Sequence, residues 1–89
     1  MIKLLEALYL GDYRIELVFS DGVCGIFDVH AYLSTRQGPL LEPLHDEAYV
    51  RRCFIDAGAL CWPNGLELSP ARLHDLSVLE AAAGDLQVT

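Results

Sequence analysis

The chain has very little positive charge. One lysine, Lys3, and five arginines stand against thirteen acidic residues, for a net charge of −7. Affinity for DNA or RNA rests largely on Lys and Arg neutralising phosphates, so direct nucleic-acid binding is not expected. The single basic pair, Arg51-Arg52, with Arg36 upstream, reads as a solvated helix face. Long apolar runs are missing as well. A charged residue interrupts every stretch before it reaches the ~18 residues of a membrane span. Met1-Ile2-Lys3 opens straight into a strand-like pattern, with no basic and apolar leader, so a cytoplasmic protein is expected.

Cysteine is scarce and unpaired in pattern. Cys24, Cys53 and Cys61 form no CxxC and no close spacing, and buried reduced thiols are the expectation. Phosphate-binding loops, dinucleotide fingerprints, HExxH and GxSxG are all absent, and the seven glycines are isolated from one another. His30, His45 and His74 lack the two-to-four-residue ligand pairing of structural zinc sites, so neither a metal nor a cofactor is expected. No catalytic residue is identified. The serines carry no nucleophile signature, and Asp28, Asp56 and Glu67 sit at or near strand ends, where carboxylates ordinarily bond backbone amides.

What is present is a hydrophobic chain of 89 residues, 53% apolar, which is one domain over residues 1–89. Ile2 to Leu10 is strand-length and apolar, and Gly11-Asp12 suits a two-residue type II′ turn. Tyr13, Ile15, Leu17 and Phe19 then alternate with Arg14, Glu16 and Ser20, a period of two. Asp21-Gly22 is a hairpin signal, and Val23 to Val29 is the returning strand. Asp28-Val29-His30 leads into a helical turn at Ala31-Tyr32-Leu33, followed by loop chemistry at Arg36-Gln37-Gly38-Pro39. Asp46 is an N-cap for about two turns of helix through Cys53.

Short strands are expected at Phe54–Ala57 and Leu60–Trp62. Trp62-Pro63-Asn64-Gly65 suits a type I turn closed by a glycine bulge, with Leu66-Glu67-Leu68 returning. Ser69 and Pro70 then cap and open a helix whose Leu73, Leu76, Leu79 and Ala83 share one side. Gly84 is a stop, and Asp85–Thr89 fray. The fold class is α+β: an N-terminal three-stranded antiparallel meander, a short helix, a second small hairpin and a C-terminal helix.

Several of these residues occur together in a known family. Phe19-Ser20-Asp21-Gly22, Asp28, Gly38-Pro39, Leu44, Phe54-Ile55-Asp56 and the block from Trp62 to Pro70, with Leu73, resemble in order and spacing the short bacterial proteins of the DUF2442 family, over roughly residues 4–76. Glu67 stands where that family more often has aspartate, Tyr49 where phenylalanine is commoner, and the chain from Ala81 onward lies outside the pattern. The resemblance implies a small α+β protein with no established enzymatic activity, often encoded beside a second short protein in a toxin–antitoxin-like pair. Some members carry an added helix-turn-helix domain, for which this chain has no room.

Three functions follow as expectations. The first is a protein-interaction domain: the acidic, neutralising partner of a small basic protein, or a homodimer. Its candidate contact residues are Trp62, Asn64 and Glu67 at the turn and Leu73, Leu76 and Leu79 on the last helix. Trp62 fits a core anchor as well as an interface hot spot. The first strand is a further candidate if it lies at a sheet edge. The second is a small-ligand binder or enzyme whose carboxylates, Asp28, Asp56 or Glu67, converge near Trp62. The third is a component of a transcriptional regulator, through Arg36, Arg51 and Arg52.

Overall fold

The computed structural model describes residues 1–77. Two three-stranded antiparallel sheets, of order β1-β2-β3 and β4-β5-β6, hold the chain together with three short helices. The α+β class, the N-terminal meander and the C-terminal helix agree with the sequence reading.

Strands β1 (Leu4–Gly11), β2 (Arg14–Phe19) and β3 (Cys24–Asp28) form the meander. Alternation explains their seating. Ile15, Leu17 and Phe19 are fully buried while Arg14 and Glu16 face water. Both hairpin turns differ in detail from expectation. The first turns on Asp12-Tyr13, at φ 54° and 63°, the left-handed values of a type I′ turn. Gly11, at φ 97°, is instead the last residue of β1, where an irregularity in register requires it. The second is a three-residue loop, Ser20-Asp21-Gly22. The Phe19 amide bonds the Val23 carbonyl at 2.9 Å, and only Gly22 is left-handed. Asp21 instead accepts from the Val23 amide at 3.1 Å, a local bond that sets the loop.

Helix α1 (Val29–Leu33) starts on Asp28, whose side chain accepts from the Ala31 amide. A 3-10 turn at Glu42–His45 precedes α2 (Glu47–Val50), capped by Asp46 as expected. That helix is one turn, shorter than its sequence suggests. The Arg52 and Cys53 amides bond carbonyls three residues back, tightening the chain out of the helix and into β4 (Phe54–Asp56). Strands β5 (Ala59–Cys61) and β6 (Glu67–Leu68) complete the second sheet, with strands where Phe54–Ala57, Leu60–Trp62 and Leu66–Leu68 are expected. Ser69 then caps α3, residues 70–77, accepting from the Arg72 amide at 3.2 Å. Leu79, Ala83, Gly84 and Asp85–Thr89 lie outside the described residues.

The two sheets share one core. Leu4, Leu17, Phe19, Leu44, Leu60 and Trp62 belong to a single buried cluster, each contributing about 1.5–3 kcal/mol by leaving water. The Leu4 amide bonds the Gly58 carbonyl at 2.9 Å, tying the start of β1 to the β4–β5 turn. Helix α3 crosses β3 at Gly25. A Cβ there would stand 2.5 Å from the Ser77 Cβ, so only glycine admits the helix at this distance. No helix among the described residues is long and apolar enough to cross a membrane.

Candidate functional site

Side-chain and backbone hydrogen bonds from several segments gather at the turn between β5 and β6. The Trp62 amide donates to the Leu66 carbonyl, and the Gly65 amide donates to the Trp62 carbonyl. With Gly65 at φ 93°, this is the three-residue bulged hairpin that Pro63-Asn64-Gly65 predicts. Trp62 itself points inward. It is 1% exposed, and its Nε1 donates to the Val50 carbonyl at the end of α2, 3.2 Å away. Asn64 sits at the surface but spends its polar atoms within the chain. Its Nδ2 donates to the Leu40 carbonyl at 3.1 Å, and its Oδ1 accepts from the Leu66 amide. Its own amide donates to the Tyr49 hydroxyl. The hydroxyl gained at position 49 therefore has a partner. The Trp-Pro-Asn-Gly block is a fastening point for three segments: the 38–41 loop, the end of α2 and the β5–β6 hairpin.

This arrangement corrects part of the expected contact surface. Trp62 and Leu73 are core residues, fully enclosed, and present no area to a partner. The reason is packing. A small domain has few large side chains, and both are needed to fill the space between the sheets and α3. Asn64 and Glu67 are exposed. Leu76 is half-buried and lines a hollow of about 270 Å³ with Ile26, Phe27, Tyr32 and Arg36. Leu79 lies outside the described residues.

The three strand-end carboxylates do not meet. Asp28 caps α1 and lines the hollow just described. Asp56 and Glu67 share a different, shallow hollow of about 240 Å³ beside Phe54, Cys61 and Trp62. Burial, then the charges of Glu67 and Asp56, push the Cys61 thiol up. Burial does the same to Cys53. The thiolate is the nucleophile, so both environments act against covalent chemistry at neutral pH. Among the described residues no three His, Cys, Asp or Glu side chains gather as metal ligands.

Two features were not read from the sequence. The first is the place of His74, for which the sequence shows only the lack of zinc-site spacing. Its Nε2 lies 2.7 Å from Asp21 Oδ2, and its ring stands edge-on to Phe19 with centroids 5.0 Å apart, so it joins α3 to the β2–β3 loop. The second is which side chains of β1 are exposed; the strand itself, a candidate if at a sheet edge, is the outer strand of its sheet. Leu5, Leu8 and Leu10 are 57%, 59% and 48% exposed. A signal was there: Leu4, Leu5, Ala7, Leu8 and Leu10 are apolar on both parities, where a strand with one wet face alternates.

Three of the five arginines are engaged with rings. Arg36 lies over Tyr32, Arg51 over Tyr9 and Arg52 over Tyr49, with guanidinium-to-centroid distances of 4.5, 5.3 and 5.7 Å. Among the described residues the one side-chain contact at ion-pair distance is His74–Asp21. Most of the described carboxylates therefore face water without a cation of their own.

A family model described as "Protein of unknown function (DUF2442)" matches residues 4–78. No curated protein and no solved structure matches the chain.

Proposed function

The chain belongs to the DUF2442 family, and from that premise we propose that it is a protein-interaction domain whose partner is a small basic protein. In this reading it is the acidic, neutralising half of a two-gene module of the toxin–antitoxin kind. The observation that carries the reading is the uncompensated negative charge. Thirteen acidic residues face six basic ones, and among the described residues no Lys or Arg lies within ion-pair distance of a carboxylate. Such a surface steers a cationic partner into contact and disfavours acidic ones. The exposed leucines of β1 add apolar area that a partner can bury.

The ligand-binding alternative has the shallow hollow of Asp56 and Glu67 beside Trp62 in its favour. Against it, Asp28 lies elsewhere and the hollow opens widely to solvent. The test of the interaction reading is purification of the tagged, full-length protein from its host at physiological salt, followed by mass spectrometry. A small basic protein in stoichiometric yield is expected. A product without a partner, or a homodimer alone, overturns the reading.

A further inference from the structure

We propose that the free edge of β1 is a strand-addition site, and that its occupant is an extended segment of a partner protein in which apolar residues alternate with Lys or Arg. The proposal rests on the interaction reading above and names its surface and chemistry.

Strand β1 is the outermost strand of its sheet, paired on one side only, with β2. Its first residue is covered where the Leu4 amide meets the Gly58 carbonyl. Beyond that, no strand among the described residues is hydrogen-bonded to its outer side; β4 packs against β1 without pairing with it, and the Tyr9 side chain reaches Glu47 of α2. An edge of this kind presents unpaired N–H and C=O groups, and proteins ordinarily blunt it with Lys, Pro or charges pointing inward. Residues Leu5 to Leu10 contain no lysine and no proline, and one charge, Glu6. Register irregularities fall between Leu4 and Glu6 and between Tyr9 and Gly11. They leave Glu6–Tyr9 as the regular stretch on which a further strand can be laid.

The outer face next to this edge sets the chemistry of the occupant. Leu8 stands directly opposite Glu16, and Glu6 opposite Val18, so all four share one face. The solvent-exposed Leu8 is thus flanked by two carboxylates, along its own strand and across to the next. Neither has a basic side chain within ion-pair distance among the described residues. Lys3 lies at the far end of the strand, Arg14 lies two residues before Glu16 on the same face at the hairpin end, and Arg51 lies over the Tyr9 ring. A strand added here gains main-chain hydrogen bonds from the edge and apolar contact from Leu8 and Leu10. Cationic side chains at alternate positions reach Glu6 and Glu16. A second copy of this chain brings the same carboxylates and a further net charge of −7, so a basic segment is the better fit.

The test uses the full chain and two synthetic peptides of equal length, one alternating valine with lysine and one alternating valine with glutamate. Fluorescence anisotropy measures binding, and amide hydrogen exchange measures protection along β1. The expected result is that the lysine peptide binds and the glutamate peptide does not. The peptide then slows exchange within Glu6–Tyr9 at least tenfold, and affinity falls as salt rises. Leu8→Lys places an edge lysine at an exposed position and is expected to weaken binding at least tenfold with an unchanged urea midpoint. Leu40→Lys, at an exposed position of the 38–41 loop, is expected to leave binding unchanged. Equal binding of both peptides, binding of neither, or a Leu8→Lys chain that binds as tightly as the parent overturns the proposal. So does sedimentation showing a dimer that Leu8→Lys dissolves. If the host yields a basic partner that the Leu8→Lys protein retains in full, the edge assignment fails while the interaction reading stands. Edge protection by the lysine peptide without any partner from the host supports the edge and overturns that reading.

Discussion

Asn64 shows how much a single side chain decides in a domain of this size. It is exposed, yet it holds the 38–41 loop through the Leu40 carbonyl and the hairpin through the Leu66 amide. Asn64→Ala removes both bonds, and a loss of about 1–2 kcal/mol in unfolding free energy is expected by urea titration, since a typical bond contributes about 1 kcal/mol. Gly25 is the sharper case. Any side chain there meets the Ser77 Cβ, carbonyl oxygen and carbonyl carbon at 2.5, 2.9 and 3.0 Å. Gly25→Ala is expected to cost about 1–3 kcal/mol through displaced backbone. Ser77→Gly in the same chain recovers only part, because the carbonyl contact remains. The cysteines separate by exposure: Cys24 is exposed, while Cys53 and Cys61 are shielded and their thiols pushed up. One fast-reacting thiol is expected with a thiol reagent under native conditions, and three after denaturation.

At the scale of elements, the β1–β2 hairpin depends on a turn that a propensity scale does not favour. Tyr13 occupies a left-handed position at φ 63°, where glycine is the usual choice. Its ring stacks on His30 with centroids 3.8 Å apart, its hydroxyl donates to the His45 carbonyl at 2.8 Å, and its amide donates to the Tyr9 hydroxyl. Tyr9 in turn donates to Glu47. Burial, then this bond to Glu47, push the Tyr9 phenol up. Glycine at position 13 would relieve roughly 1 kcal/mol of backbone strain. It would forfeit the stack, worth about 0.5–1.5 kcal/mol, and a hydrogen bond worth about 1 kcal/mol. Tyr13→Gly is therefore expected to lower the urea midpoint, whereas a turn governed by φ alone would raise it. The helices follow the same logic. Asp28, Asp46 and Ser69 each cap a short helix through a side-chain oxygen, as their residue types predict. The lengths do not follow. Helix α2 ends after Val50 because the chain must turn into β4, a demand made by the sheet.

On the scale of the whole molecule, α3 is fastened to the meander by Asp21 and His74 at one turn and by Gly25 and Ser77 at the next. The bond from the Val23 amide holds the Asp21 carboxyl below the usual carboxylate range, and the His74 ring adds to this against some desolvation. A depressed folded pKa means that the unfolded chain binds the proton more readily. The linked stability is present above the unfolded value of about 3.9 and is lost as pH falls through the folded value. Urea midpoints taken between pH 7 and pH 3 are expected to fall less steeply on the acid side for Asp21→Asn than for the parent. An equal slope would show that this carboxylate carries no linked stability.

Turns, caps and alternation were legible in the sequence because each is local. The Trp62–Gly65 turn, the Ser69-Pro70 helix start and the buried parity of β2 depend on residues a few positions apart, and the structure has them as the sequence implies. The acidic balance and the lack of catalytic spacing were equally plain. Tertiary structure decided which apolar residues are core and which are surface. Trp62 and Leu73 are enclosed because β5, β6 and α3 converge on them. Leu5, Leu8 and Leu10 are not, because the segments that pack on β1, the β4–β5 hairpin and α2, leave these three side chains exposed. Burial is a property of what the rest of the chain places nearby. Leucine drives itself out of water with the same strength at either place, and only the arrangement of distant segments determines whether it succeeds.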